Sequence, residues 1–181
     1  MPPDATATVE VRLATARDAA GIAAIHIASW RRAYRHVFSP EALAGIPSGD
    51  RERLWQAVIG TREPRRRVLV AGPSGGSPRG FAAWSPTRDD GGDAETTAEL
   101  CALYVHPDAW GGGLGGALLA RGEALARADG FTRATLWVLR DNPRARGFYE
   151  AAGWRADGAE QEEEVLGTRV PEVRYAVDLR P

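Results

Sequence analysis

Lysine is absent from the 181-residue sequence, in which all 23 basic side chains are arginine. This excludes any mechanism that uses a lysine nucleophile supplied by the chain. Cysteine is nearly absent too, since Cys101 stands alone, which excludes an internal disulfide and a cysteine-built zinc site. The three histidines show no spacing typical of metal ligands, so we predict no metal site.

Excess charge and long apolar runs are also missing. The 23 basic and 24 acidic residues leave a formal net charge of -1, which argues against nucleic acid or an anionic membrane as a partner. No segment approaches the roughly 18 apolar residues of a membrane helix, and the N-terminal MPPDATATVE lacks the apolar core of a signal peptide. We therefore expect a cytoplasmic protein.

What is present is the pattern of a mixed α/β protein. The apolar fraction of 44% and the length fit one globular domain, residues 1–181. Alternating or continuous apolar runs predict strands at 9–15, 66–72, 79–86, 98–105 and 133–139, and two more within 162–179. Apolar periodicity and capping residues predict helices at 16–34, 39–46, 49–60, 114–129 and 142–153.

Five glycines occupy six positions, 111–116, directly before one of these helices. Glycine costs a helix about 1 kcal/mol relative to alanine, so the cluster needs a compensating use. Backbone N–H groups at a helix N-terminus bind phosphate, and glycine lets the anion come close. The cluster therefore predicts a pyrophosphate held by main chain, in a sequence that has no lysine to help.

Two other phosphate motifs fit less well. A P-loop requires a Lys-Ser/Thr pair after the glycines, and none follows Gly116. The dinucleotide fingerprint is matched by Gly111, Gly113 and Gly116, with Asp141 as the ribose-binding acid. However, five residues separate the strand end at Val105 from Gly111, and too few residues follow to complete that fold.

Two motifs, LYVHPDAWGGGLGGALL and RATLWVLRDNPRARGFYEAAGW, resemble the core of the GNAT superfamily of acyl-CoA N-acyltransferases. The resemblance is close over a coenzyme A-binding core of about 99–154. It implies the GNAT fold, a mixed central sheet of about seven strands with a splayed central pair, flanked by about four or five helices. The sequence departs from the family pattern at Trp110, where Gln or Arg is usual, and at Gly112, where Arg is frequent.

The resemblance also implies acetyl-CoA as cosubstrate and a set of main-chain contacts to it. The pyrophosphate would lie on the backbone of Gly111, Gly112, Gly113, Leu114, Gly115 and Gly116. The pantetheine arm would bond to the backbone of Leu103, Tyr104 and Val105, one of whose N–H groups would face the thioester oxygen.

Three side chains take roles in the chemistry under this resemblance. Tyr149 is the expected proton donor to the departing thiolate and a cofactor contact, unless it only packs beneath the cofactor. Asn142 is a helix N-cap and an expected cofactor contact. Glu99 is the expected general base, with a solvent-facing glutamate as the alternative. Arg140, Arg144 and Arg146 either reach the phosphates or form a solvated basic face.

The acceptor side is less determined. His26, Trp30 and Tyr34 recur every four residues on the first helix, and in relatives this region lines the acceptor pocket. Trp30, Tyr34 and, on the last strand, Glu172 are therefore the expected acceptor-binding residues, with a purely structural aromatic face as the alternative. Cys101 is expected to be a small buried residue rather than a nucleophile.

The resulting functional prediction is an N-acetyltransferase that moves an acetyl group from acetyl-CoA to a primary amine. Transfer is expected by direct attack in a ternary complex, with a small-molecule or peptide amine as acceptor and a possible homodimer as the assembly. Two alternatives stay open: an acyltransferase for longer acyl-CoA, and a non-catalytic acyl-CoA-binding sensor on the same fold.

Overall fold

Seven strands form one mixed sheet in a computed structural model, which describes residues 9–180. The sheet order is β1-β2-β3-β4-β5-β7-β6, and all neighbours are antiparallel except β4 and β5. Residues 1–8, most of the N-terminus in which no signal peptide is expected, lie outside the described residues. The strands are β1 (Val9–Leu13), β2 (Arg67–Pro73), β3 (Gly80–Pro86), β4 (Thr97–Val105), β5 (Arg133–Leu139), β6 (Arg155–Val165) and β7 (Thr168–Asp178).

Five helices accompany the sheet, as the sequence predicts: α1 (Ala19–Ala33), α2 (Pro40–Ala44), α3 (Ser48–Gly60), α4 (Leu114–Ala128) and α5 (Pro143–Ala151). Side-chain caps fix several of their starts. Asp18 accepts the N–H of Thr15 at 2.7 Å in a capping box, one 3₁₀ turn before α1. Ser39 and Asn142 each accept the backbone N–H three residues on, at 3.1 and 3.0 Å. No helix within 9–180 is long and apolar enough to span a membrane.

The core divides between the two faces of the sheet. Alternate residues of a strand point to opposite faces, so Leu69 and Trp84 join the cluster under α4, whereas Val68 and Phe81 join the one under α1 and α3. Helices therefore cover both faces, which accounts for the nearly continuous apolar runs of β2 and β3.

Helix α4 packs unusually close to β3. A Cβ built on Gly122 would lie 2.1 Å from Nε1 of Trp84, whose side chain is buried. A side chain at this position is therefore excluded by the tryptophan ring. The contact fixes α4 against the sheet, and with it the position of the helix N-terminus where the glycines lie.

The parallel strands β4 and β5 separate soon after they meet. Thr97, Ala98 and Glu99 pair with residues 133–135, and no pairing is recorded beyond them. Both strands continue, to Val105 and Leu139, so their facing edges enclose a wedge that we call the strand gap. The gap is the splayed central pair that the resemblance implies.

Candidate active site

A cavity of about 1270 Å³ opens from the strand gap. Its walls come from the second half of β4, the glycine segment 111–116, α1, α3, α5 and the hairpin of β6 and β7. The cavity therefore brings together residues that lie far apart in the sequence, as a site between two substrates requires.

The glycine segment forms one end of this cavity. Gly111 and Gly113 have φ of 83° and 79°, a left-handed conformation that favours glycine, and Gly113 is the N-cap of α4. A Cβ at Gly111, Gly113 or Gly116 would meet nothing within 4 Å, so the backbone is open on that side. Leu114 is buried in the core and offers its main chain only. The geometry fits a pyrophosphate bound by N–H groups at the positive end of a helix.

The main-chain contacts expected on β4 need one correction. His106 donates its N–H to Arg79 next to β3, and the register then sets Tyr104 opposite Phe81 as a hydrogen-bonded pair. The backbone of Tyr104 therefore faces β3, while that of Leu103 and Val105 faces the strand gap. The expected bond from Tyr104 main chain to pantetheine is wrong, because backbone groups alternate along a strand.

The backbone groups of Leu103 and Val105 face the gap, but the carbonyl of Val105 is already engaged. Its carbonyl already accepts two hydrogen bonds, from Ser29 Oγ at 3.0 Å and from Trp110 Nε1 at 2.7 Å. Both lone pairs of that oxygen are occupied. The N–H groups of Leu103 and Val105 and the carbonyl of Leu103 are left for a ligand that adds to the strand edge.

Trp110 has a structural role that its sequence position did not reveal. Besides bonding to Val105, its ring lies under the guanidinium of Arg144, 3.8 Å from the ring centre. Stacking of this kind holds arginine in place without neutralising it. Arg144 forms no ion pair in the described part of the chain, so a free positive charge from α5 stands beside the glycine segment.

The other two arginines near α5 are engaged elsewhere. Arg140 pairs with Glu160, and Arg146 bonds to the hydroxyl of Tyr175 at 3.1 Å. Neither lines the cavity. Of the three arginines for which phosphate contact and a solvated basic face were both open, Arg144 is thus the member that borders the site.

Asn142 and Tyr149, both on or next to α5, line the cavity. The N-cap role of Asn142 is confirmed, and its contact to a cofactor stays a prediction. Tyr149 is buried between Phe148 and Trp154, with ring centres 5.2 and 6.1 Å away. Burial, and secondarily Tyr104, raise the pKa of Tyr149 well above its ordinary value, so the phenol is protonated at neutral pH.

Glu99 lies inside the protein rather than at its surface, with 4% of its area exposed. Its carboxylate forms an ion pair with the guanidinium of Arg88 and accepts the backbone N–H of the same residue at 2.9 Å. The pair raises the pKa of Arg88. To take a proton from an amine, Glu99 would have to give up part of this pairing.

Cys101 is a second correction, because it is exposed in the cavity wall rather than buried. Its Sγ lies 3.2 Å from the hydroxyl of Ser85. Desolvation by the surrounding protein, and the nearby Glu99, raise the pKa of the thiol. A thiol with a raised pKa is a poor nucleophile, which agrees with the expectation that it forms no acetyl-cysteine.

Aromatic rings form the opposite end of the cavity, which we call the aromatic end: His26, Trp30, Tyr34 and Tyr104. His26 stacks on Tyr104 at 5.0 Å and meets Trp30 edge-on at 5.3 Å, and Trp30 meets Tyr34 at 5.3 Å. All four line the cavity, so the helical stripe is a cavity wall as well as core.

His26 is uncharged at this end. Its Nδ1 accepts the indole N–H of Trp55 at 3.2 Å, which assigns the proton of the neutral ring to Nε2. Burial, with a smaller effect of Arg51, lowers the pKa of His26 to about 4. In the described residues no group of three histidine, cysteine, aspartate or glutamate side chains has the arrangement of a metal site.

Glu172 on β7 completes the aromatic end. It lines the cavity and accepts one hydrogen bond, from Gln161 Nε2 at 2.8 Å. Burial raises the pKa of Glu172, and the neighbouring Glu163 raises it further. Among the described residues it has no cationic partner, so its environment suits a protonated amine.

Arg88 and Arg51 are among the cavity residues that were not predicted from the sequence. Arg88 lies in the loop between β3 and β4 and gave no signal beyond its charge. Arg51 lies in the first turn of α3, with its guanidinium carbon 5.7 Å from the ring centre of Trp30. Neither position belongs to a motif, and only the folding of α3 and β3 against the cavity reveals them.

Comparison with known proteins identifies a family. The sequence model described as the acetyltransferase (GNAT) family matches residues 24–154. The chain is 32% identical over 165 residues to an uncharacterized N-acetyltransferase of Bacillus subtilis, covering 91% of this chain and 90% of that protein.

Solved structures share the fold. The PaiA N-acetyltransferase of Thermoplasma acidophilum, crystallised with coenzyme A, superposes with a TM-score of 0.73 at 19% identity, over 94% of this chain and 99% of its own. A putative acetyltransferase of Salmonella typhimurium, solved with acetyl-CoA, gives 0.69 at 22% identity, over 96% and 95%. At these identities the likeness shows the fold, including the sheet of seven strands.

Proposed function

The chain belongs to the GNAT family of acetyltransferases, and on that premise we propose how its cavity divides the work of acetyl transfer. As a member of this family it is an N-acetyltransferase that uses acetyl-CoA as cosubstrate. The glycine segment holds the pyrophosphate, the strand gap holds the pantetheine arm, and the aromatic end holds a primary amine. Two structures of the same fold were solved with coenzyme A or acetyl-CoA, which supports the choice of cosubstrate.

One observation carries the proposal. The pairing of β4 and β5 stops at Glu99, and the N–H groups of Leu103 and Val105 then face an open edge that leads to the glycine segment. A ligand with an extended arm and a pyrophosphate head satisfies both features at once, by adding to the strand edge and by meeting the helix N-terminus. A nucleotide without such an arm would leave the edge unused.

Each main-chain group has a distinct task in this proposal. Gly111, Gly112, Gly113, Leu114, Gly115 and Gly116 bind phosphate through their backbone, and Asn142 contacts the cosubstrate beside its cap. One N–H from Leu103 or Val105 faces the thioester oxygen and stabilises the charge that develops there. Arg144, held on Trp110, adds the side-chain charge that the glycine segment itself lacks.

Bound acetyl-CoA supplies an activated acetyl group, whose C–S bond breaks as the C–N bond to the amine forms. Tyr149 holds a proton at the cavity wall and delivers it to the thiolate. Because its pKa is raised, the phenol is a weak acid, and its donation must be balanced by a proton from the amine. Of the two protons that the ammonium loses, one goes to a carboxylate, and the other, released from nitrogen as the amide forms, restores the phenol. Tyr149 therefore gives its proton to the departing thiolate and regains one from the amine.

Two carboxylates stand as proton acceptors for the incoming ammonium. Glu99 is the base that the resemblance implies, and its ion pair with Arg88 is an obstacle to that role. Glu172 is a second candidate, favoured by its raised pKa and by having one amide donor as its partner. Trp30 and Tyr34 bind the acceptor beside it.

A single domain over 1–181, a cytoplasmic location and a homodimer stay predictions.

Calorimetric titration with acetyl-CoA, coenzyme A and NAD tests the proposal first. We expect micromolar binding of the two coenzyme A forms and none of NAD. Release of free thiol in the presence of a primary amine then separates an enzyme from an acyl-CoA sensor, and propionyl- and butyryl-CoA test the acyl length. Binding of NAD instead of acetyl-CoA would show that the dinucleotide fingerprint was the correct interpretation.

A matched pair of glycine variants links the binding to the glycine segment. Gly113 and Gly91 both have left-handed φ, of 79° and 76°, and at neither would a Cβ meet an atom within 4 Å. Alanine strains both positions by about 1–2 kcal/mol. We expect Gly113→Ala to weaken acetyl-CoA binding roughly tenfold, and Gly91→Ala, away from the cavity, to leave it unchanged. Equal effects would remove the glycine segment from the site.

A further inference from the structure

Four arginines line the cavity: Arg51, Arg66, Arg88 and Arg144. Arg66 pairs with Glu63 and Arg88 with Glu99, so the charges of these two are compensated within the chain. Arg51 and Arg144 form no ion pair with any residue of the 9–180 range. Arg144 lies beside the glycine segment, where the cosubstrate phosphates are proposed, which leaves Arg51 as an uncompensated cation with no assigned role.

Arg51 lies at the aromatic end. It is half-buried in the first turn of α3, and its guanidinium carbon is 5.7 Å from the ring centre of Trp30. The contact holds the group by stacking and leaves its N–H donors without a side-chain or backbone acceptor in the described chain. Its neighbour Arg53, by contrast, pairs with Asp50 at the surface and does not line the cavity.

A negative charge lies elsewhere at the same end. Glu172 on β7 lines the cavity. Burial is the main cause of the raised pKa of Tyr104, and Glu172 raises that pKa further while Arg51 lowers it, so both charges act on the same ring. His26, stacked on Tyr104, adds no charge because it is neutral. The aromatic end therefore presents a cation that has no ion-pair partner in the described chain, Arg51, and, on different elements, Glu172 with its neighbour Glu163, which also lines the cavity.

We propose that the acceptor is an amine that also carries a carboxylate, as an amino acid does, with its carboxylate on Arg51 and its amino group toward Glu172. This inference rests on the proposed acetyl transfer and names the substrate class of the same site. A planar guanidinium matches a single carboxylate through two parallel N–H bonds. The half-buried, aromatic surroundings strengthen such a pair relative to one in water.

The experiment compares matched acceptors. The full chain, with saturating acetyl-CoA, is assayed for thiol release with the proteinogenic amino acids, with their methyl esters, and with the corresponding decarboxylated amines. Each ester retains the side chain and the amino group, loses the negative charge and adds one methyl group. We expect kcat/KM for the preferred acid to exceed that of its ester by roughly 10- to 100-fold, the range of a hydrogen-bonded charge pair.

Two neighbouring variants assign the preference to Arg51. Arg51→Gln is expected to abolish the difference between acid and ester, chiefly through KM, while acetyl-CoA binding stays as in the parent. Arg53→Gln removes an equal charge two residues away and is expected to retain the preference. Where no acceptor in the panel turns over, the same acid and ester pairs are titrated into the coenzyme A complex and compared by saturation-transfer NMR.

The outcomes are distinct. Esters or decarboxylated amines that react or bind as well as the acids overturn the inference while leaving acetyl transfer intact. So does an acid preference that Arg51→Gln leaves unchanged. Failure of the parent protein to bind acetyl-CoA or coenzyme A at all overturns the proposed function instead. An acid preference that disappears in Arg51→Gln and persists in Arg53→Gln establishes the inference.

Discussion

The two ends of the cavity are built from different parts of the chain. The glycine segment offers main chain: its N–H groups, and those of Leu103 and Val105, are the groups proposed to bind the cosubstrate, and they are present whatever the side chains. The aromatic end offers side chains from α1, α3, β4 and β7, and every contact there depends on which residue stands at each position. An end made of backbone suits a ligand common to a family, and an end made of side chains suits a ligand that differs between members.

In spite of this difference, the two ends share one arrangement of side chains, an arginine stacked on a tryptophan. At each, an arginine without a carboxylate partner in the described chain lies against a tryptophan ring, Arg144 on Trp110 and Arg51 on Trp30. Stacking positions a guanidinium while leaving its charge available. A backbone site and a side-chain site can thus add the same kind of anion anchor independently.

The largest expected effect is at Tyr149, which lies near Tyr104 and so between the ends. Tyr149→Phe removes the proposed proton donor and retains the packing, and we expect kcat to fall roughly 10- to 1000-fold with acetyl-CoA affinity nearly unchanged. Steady-state kinetics and calorimetry measure the two. Tyr175→Phe, a buried phenol outside the cavity lining, is the control. An unchanged kcat would leave Tyr149 with a packing role.

The next effect is on stability, and it compares Gly122, which packs against Trp84, with Gly116 in the glycine segment. Gly122→Ala forces a Cβ against the buried ring of Trp84, and we expect the free energy of unfolding to fall by roughly 1–3 kcal/mol. Gly116→Ala, on the same helix with open space around it, should gain up to about 1 kcal/mol from helix propensity. Urea unfolding measures both. Equal changes in the two variants would contradict the close packing of α4.

At the aromatic end the prediction concerns pH. The pKa of His26 is about 4 in the folded chain and about 6.5 when unfolded. Between these values the unfolded chain binds more protons, so the stabilisation is fully present above pH 6.5 and is lost as the pH falls toward 4. The loss amounts to roughly 2 kcal/mol at pH 5.

His26→Gln tests this, because glutamine keeps an acceptor for the indole N–H of Trp55 without titrating. Urea unfolding of the parent and variant is compared at several pH values between 5 and 7.5. We expect the difference in unfolding free energy between them to narrow as the pH falls. A constant difference across the range would mean that His26 is not buried in its neutral form.

The smallest expected effect is at Arg144. Arg144→Gln should weaken coenzyme A binding roughly fivefold, equivalent to about 1 kcal/mol for an exposed charge, and less at high salt. Binding of acetyl-pantetheine, which lacks the phosphates, should not change. Arg121→Gln, an exposed charge on α4 outside the cavity lining, is the control. A loss for both ligands would assign Arg144 to the shape of the site instead.

The sequence predicted the glycine end far better than the aromatic end. The glycines, the cap at Asn142 and the positions of the strands along the chain depend on local backbone rules, and these are visible in short motifs. The backbone of Tyr104 was misassigned because the direction of its N–H depends on the register with β3, which no motif states. Cys101 was expected inside, and lies in the cavity wall because β4 leaves its neighbour strand there.

Long-range pairing explains the other omissions. The ion pair of Glu99 joins residues eleven positions apart across the loop after β3, and its cost to a general base is invisible without the fold. Arg51 reaches Trp30 only because α3 packs beside α1. From the sequence alone, Glu99 and Arg51 have the character of surface residues. Tertiary contacts place both in the site.

A single oxygen joins the two ends. The carbonyl of Val105 accepts one bond from Ser29 on α1 and one from Trp110 beside the glycine segment. A displacement of that atom changes both bonds together, so an adjustment at one end is transmitted to the helix that carries the rings of the other. Any resulting coupling free energy is reciprocal: the factor by which acetyl-CoA alters the affinity for the acceptor equals the factor by which the acceptor alters that for acetyl-CoA.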